Sequence, residues 1–284
     1  YDPTTKESTS SDRFTLIKDF FPSNKFDLKL DIVDFIIFRH VIEHYINPRE
    51  FLFNIINSIP KINNLIVMIE VPNVIPIIEN QRINDFIHEH ISYFSKESLI
   101  NTFDNFLEPI DSWTTLNNEN LITLFKYNVN HQNQSFYKPY LNKNHLKSCK
   151  NLKISYQTLV TQINELINDL NHLIIWGAGG RGTSLINILY SELKSSQFSK
   201  IIATDSDNKK HNLYVPICGL KVYDFYSIYK KGLNKFSILI STTLGVDSII
   251  EEISETLKDN NNISSIYIIE KGVLKKLNTP INLI

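Results

Sequence analysis

Gly177-Ala178-Gly179-Gly180-Arg181-Gly182 lies between an apolar run, Leu173–Trp176, and a segment of helical spacing, Ser184–Leu193. No other feature constrains the fold as strongly. Glycines spaced G-x-G-x-x-G permit a tight strand-to-helix turn and let backbone amides at the helix start approach a phosphate. A further apolar strand, Ile201–Thr204, ends at Asp205, near the ~20-residue separation at which such turns set an acid against a ribose. The order predicts a β-α-β unit, continued by a strand at Phe236–Ile240, a helix at Asp247–Leu257 and a strand at Ile266–Ile269. Three uses of the turn stay open: a nicotinamide or flavin dinucleotide site, a site for the diphosphate of a nucleotide-linked substrate, or a structural turn without ligand.

The first third alternates in the same way. After a short apolar run at Phe14–Lys18, Asp34-Phe35-Ile36-Ile37-Phe38 reads as a strand buried on both faces. Val41, Ile42, Phe51, Leu52, Ile55 and Ile56 then follow helical spacing, and Asn64–Val71 forms a second buried strand stopped by Pro72. Strand, helix, strand predicts a parallel sheet with covering helices. Between the halves, residues 145–170 carry Cys149, Leu152, Tyr156, Leu159, Ile163, Leu166, Ile167 and Leu170 at spacings of three and four, a long helix. The polar stretch before it reads as a linker. The expected organisation is therefore α/β, with two Rossmann-like parallel-sheet domains, residues 1–127 and 171–284, joined through a linker and connecting helix at 128–170.

Two histidine-rich segments carry the candidate chemistry of the first half. Arg39-His40-Val41-Ile42-Glu43-His44 contains H-x-x-E-H, which is also an inverted zinc-protease pattern. It directly follows a buried strand, and no third ligand segment is evident, so polar residues closing a strand are the expected reading and no metal is assigned. His88-Glu89-His90-Ile91-Ser92-Tyr93-Phe94 is denser in acid–base groups. Glu89 and His90 would face opposite sides of a regular strand, so they serve one site only if the backbone turns there. A surface histidine cluster is the plainer alternative.

The balance of 29 basic and 30 acidic residues gives no reason to expect a nucleic-acid partner. Cys149 and Cys218 form no CxxC, so neither a disulfide framework nor a cysteine zinc site is expected, and a reducing cytoplasm fits. No apolar stretch approaches the ~18 residues of a membrane span, and the polar opening Tyr1-Asp2-Pro3 does not read as a signal peptide.

Together, Asp34–His44 followed by Pro48, Ile69-Glu70-Val71-Pro72-Asn73, and His88-Glu89-His90 with Tyr93-Phe94-Ser95 and Leu99 resemble the sugar C-methyltransferase family. The first two segments resemble the fourth and fifth strands of class I methyltransferases. Trp176–Gly182 and Asp205–Lys210 resemble that family's second Rossmann-like domain. The resemblance implies methyl transfer from S-adenosylmethionine to a carbon of a nucleotide-linked keto sugar. It implies His90 as the base, Glu89 as its orienting partner and Tyr93 as a pocket residue. Asp2, Asp19, Arg39 and His40 would border the cofactor, while Gly177, Gly179, Gly180, Gly182 and Asp205 would hold the substrate's nucleotide diphosphate. The family's cysteine zinc module and first glycine-rich turn have no counterpart here, so an N-terminally truncated member is expected. The alternatives are an NAD(P)-dependent oxidoreductase built on Gly177–Gly182, and a nucleotide-sugar-binding remnant without chemistry.

Overall fold

The computed structural model describes residues 5–21, 32–127, 143–243, 245–257 and 263–277. A short hairpin, β1 (Thr9–Ser10) and β2 (Thr15–Leu16), precedes the first main strand, β3 (Val33–Arg39). The chain turns through a 3-10 segment, Ile42–His44, into α1 (Pro48–Ser58). Asn47 caps that helix by accepting from the Glu50 amide, and Pro48 occupies a position where no N–H is needed. The predicted helical run from Val41 is therefore broken. Val41 and Ile42 belong to the turn, because His40 adopts φ 52° and redirects the chain.

Next come β4 (Lys61–Pro72), α2 (Val74–Glu79), a 3-10 turn at Ile83–Asp85 and α3 (Lys96–Phe103), capped by Ser95. A hairpin, β5 (Leu107–Thr115) and β6 (Asn120–Tyr127), completes the sheet in the order β3-β4-β6-β5. β3 and β4 run parallel as expected, whereas β6 is antiparallel to both of its neighbours. One face is a core in which Leu65, Val67, Ile69, Leu99, Phe103 and Phe125 are fully buried. Each such side chain stabilises by roughly 1.5–3 kcal/mol. The expectation that Asp34–Phe38 is buried on both faces is corrected. β3 is an edge strand, and Phe35 and Ile37 point away from the core, 46% and 53% exposed.

α4 (Lys143–Asn168) is the predicted connecting helix, and it packs against both halves. Its Ser155 hydroxyl bonds Gln81, and its Gln162 accepts from the Leu274 amide at 2.8 Å. The second half runs β7 (His172–Trp176), α5 (Gly180–Glu192), α6 (Ser195–Phe198), β8 (Ile201–Thr204), β9 (Val222–Tyr223), α7 (Phe225–Tyr229), β10 (Phe236–Ile240), α8 (Val246–Thr256), β11 (Ile263–Glu270) and β12 (Val273–Lys276). Its sheet order is β12-β11-β10-β7-β8-β9, parallel throughout except for β12. The parallel strands follow the doubly wound order, in which direction reverses between β7 and β10. Leu173 and Ile175 face a core shared with α4 and α5, while Ile174 and Trp176 face one shared with α7 and α8. Ile83 of the first half is inserted into the former. No helix among the described residues is long and apolar enough to cross a membrane.

Candidate functional site

The reversal between β7 and β10 opens a cleft of ≈ 500 Å³, bordered by Gly177, Gly179–Gly182, Asp205, Lys210 and Ser241. Ligands of doubly wound sheets bind at this place. Three of the glycines make close approaches. Gly177 has φ 106°, and a Cβ there would lie 2.8 Å from Ser241 Oγ. A Cβ on Gly182 would fall 1.6 Å from the Gly177 carbonyl oxygen, and one on Gly180 would meet Ile87 of the first half at 2.7 Å. At Gly179 the same construction finds only Lys210 Nζ, at 3.7 Å.

Asp205 lines the cleft and is already bonded within the fold through both carboxylate oxygens. One oxygen takes the Ala178 amide at 2.6 Å and Lys210 Nζ at 2.9 Å, and the other takes the Asp207 amide at 2.9 Å. Burial raises its pKa, but Lys210 and the two amides outweigh burial and hold the carboxyl below its ordinary range. Asp205 therefore fixes the turn's shape, and Lys210 is the cation it holds at the cleft.

The first half packs against the glycine turn that borders this cleft. Arg181 leaves the glycine turn and pairs with Asp85 (Nε–Oδ1 2.5 Å) and Glu119 (3.2 Å). Arg82 pairs with the same two carboxylates, at 3.1 Å to Asp85 and 2.7 Å to Glu119. Asn84 donates to the Ser241 carbonyl, and Ser184 to the Phe86 carbonyl. Sequence reading missed this network because its members come from three distant segments, around 82–85, at 119 and at 181–184.

From Ile87 the chain turns at His88-Glu89, closed by the His90 amide bonding the Ile87 carbonyl at 3.0 Å. That is the backbone turn the Glu89–His90 pair requires. Its outcome differs from the expected pairing, however. The Glu89 side chain is exposed and stands 3.9 Å from His88 Nε2, while its carbonyl accepts from His44 Nδ1 at 2.8 Å. The carboxylate gathered with His90 is Glu43, whose ligand atoms, with those of His44, lie within 4.8 Å of one another. The His44 and His90 rings meet edge to face at 4.9 Å. Desolvation lowers the His90 pKa below its ordinary value, against the pull of Glu43. Tyr93 packs on Phe86 at 5.0 Å and on His90 at 6.0 Å, and its hydroxyl donates to the Ile87 carbonyl.

Three of the residues expected to border the cofactor have partners within the fold. Arg39 Nε donates to Glu70 at 2.5 Å, and burial of Glu70 is outweighed by Arg39 and Asn120, so its pKa is lowered. His40 lies 3.4 Å from Glu43 and 3.7 Å from Glu70, and Glu43 raises its pKa against partial burial. Asp19 accepts from the Phe20 amide at 2.9 Å. Asp2 lies outside the described residues.

The chain matches no protein-family model and no curated protein.

Proposed function

We propose that the protein carries out methyl transfer to a carbon of a nucleotide-linked keto sugar, with S-adenosylmethionine as donor. One observation carries this reading: a single segment, 83–93, joins the glycine cleft to the histidine cluster. Ile87 abuts Gly180, and His90, three residues on, sits beside Glu43 and His44. A nucleotide diphosphate held at the start of α5, with Lys210 at hand, would project its sugar along this segment toward the imidazole.

The donor set partly fits S-adenosylmethionine. Glu43 puts beside the end of β3 a carboxylate that has no hydrogen-bond partner among the described residues, suited to a sulfonium cation, whereas Glu70 there is already paired with Arg39. When bound, the cofactor supplies an electrophilic methyl group. The protein's own task is to make the acceptor carbon nucleophilic. His90 takes the proton from the carbon beside the keto group, and Glu43 stabilises the imidazolium so formed. Tyr93, packed on His90, restricts the ring's orientation.

The test is calorimetric titration with S-adenosylhomocysteine, then with uridine or thymidine diphosphate. Saturable binding of both supports the reading. Binding of the diphosphate alone favours a nucleotide-sugar-binding protein without transfer, and binding of neither overturns both.

A further inference from the structure

The H-x-x-E-H segment does not form the helix its zinc-protease reading needs. His40, at φ 52°, breaks the helical spacing but keeps Nδ1 3.4 Å from Glu43, and Glu43 and His44 lie in a 3-10 turn. The fold supplies a different third member from 46 residues beyond His44. The Ile91 and Ser92 amides both donate to the Glu43 carbonyl, at 2.9 and 3.0 Å, and this clamp brings His90 against the pair.

We propose that Glu43, His44 and His90 form a binding site for a divalent transition metal of the zinc class, with a coordination position left for water or a substrate oxygen. Glu43 is 1% exposed, and among the described residues neither of its carboxylate oxygens has a hydrogen-bond partner. A buried carboxylate is costly unless a cation or donors satisfy it. His40 Nδ1 stands 3.4 Å from one oxygen, which leaves the other without a cation.

His44 is oriented as metal-binding histidines are. The carbonyl of Glu89 can only accept, so His44 Nδ1 carries the proton and Nε2 keeps its lone pair for an ion. Two imidazoles and one carboxylate suit zinc, cobalt, nickel or iron better than magnesium or calcium, which prefer oxygen donors. Bonds of about 2.0–2.2 Å in a tetrahedral site bring ligand atoms closer together than the 4.8 Å spread seen here, so loading draws the three side chains together. Binding does not require methyl transfer to occur. An ion here would occupy the His90 lone pair that accepts a proton, so metal-loaded and proton-accepting states exclude one another.

The test is titration of the full chain with zinc by calorimetry and with cobalt by visible absorption. The expected result is saturable uptake of one ion per chain with a tetrahedral cobalt band. Glu43→Gln should weaken uptake by at least the about 10–100-fold typical of losing a mere supporting partner. Because Glu43 is buried, His44→Gln and His90→Gln provide the same test from outside the core, with thermal melts as a folding control. Absence of saturable uptake, or uptake unchanged in the folded histidine variants, overturns the site.

Discussion

Arg181 Nε lies 2.5 Å from Asp85 Oδ1, so the residue inside the glycine turn is spent on a carboxylate 96 positions earlier. The turn is thereby a joint between the halves as well as a candidate phosphate site. Asp85 is almost wholly buried, and removing one partner of such a network leaves an uncompensated charge. Asp85→Ala leaves Arg82 and Arg181 sharing Glu119 alone and is expected to cost about 3 kcal/mol, read by urea denaturation. A double-mutant cycle with Arg181→Ala should show coupling of ~0.5–3 kcal/mol; strictly additive losses would deny the pairing.

The glycines differ in what a methyl group would strike. At Gly182 it is the Gly177 carbonyl oxygen, which is backbone and cannot step aside. Gly182→Ala should destabilise by ~2 kcal/mol or more, with no second-site rescue. At Gly180 the neighbour is the Ile87 side chain, so Ile87→Ala should recover much of the Gly180→Ala loss. Equal thermal shifts in the single and double variants would refute this distinction.

Asp205 has a folded pKa below its ordinary 3.8. Its contribution is complete above that unfolded value and disappears as pH falls through the lower folded value. Asp205→Asn should therefore be less stable than the parent at neutral pH, and the gap should close below about pH 4. A gap independent of pH would assign the loss to something other than ionisation.

Phe35 and Phe125 test the one-sided burial of the first sheet. Phe35→Lys, on the exposed face, should change stability by no more than about 0.5 kcal/mol. Phe125→Ala, fully buried, should cost about 3–5 kcal/mol. Comparable losses would mean that the Phe35 face is covered in solution.

His90→Ala should lower turnover in a methyl-transfer assay by about 10²–10⁴. Glu89→Ala should lose far less, because its carboxylate faces His88 and its contribution to the cluster is a backbone carbonyl. A Glu89→Ala defect matching that of His90→Ala would restore the expected side-chain role.

Legibility in the sequence followed the locality of the signal. Ile201–Thr204 and Phe236–Ile240 were readable to the residue because strands in a parallel sheet covered on both faces are continuous apolar runs. The β5–β6 hairpin was not foreseen, since Leu107–Thr115 is a mostly exposed edge strand that carries a proline and lacks a regular apolar alternation. Its available signal was Asn117-Asn118, both at positive φ in the connecting turn. Among candidate site residues, His90 was visible, but Glu43 was not recognised as its partner. The two lie 47 positions apart, and only the clamp of Ile91 and Ser92 onto Glu43 joins them.

By itself the sequence determined the alternation of strands and helices, the long helix between the halves and the glycine turn, because periodicity and the steric demand for a missing Cβ act over a few residues. The tertiary structure alone decided that Glu43 rather than Glu89 meets His90, that Asp205 is held by Lys210 and the Ala178 and Asp207 amides, and that Arg181 faces Asp85. Those outcomes depend on which surfaces pack together, and burial, not spacing along the chain, selects the partner of each charge.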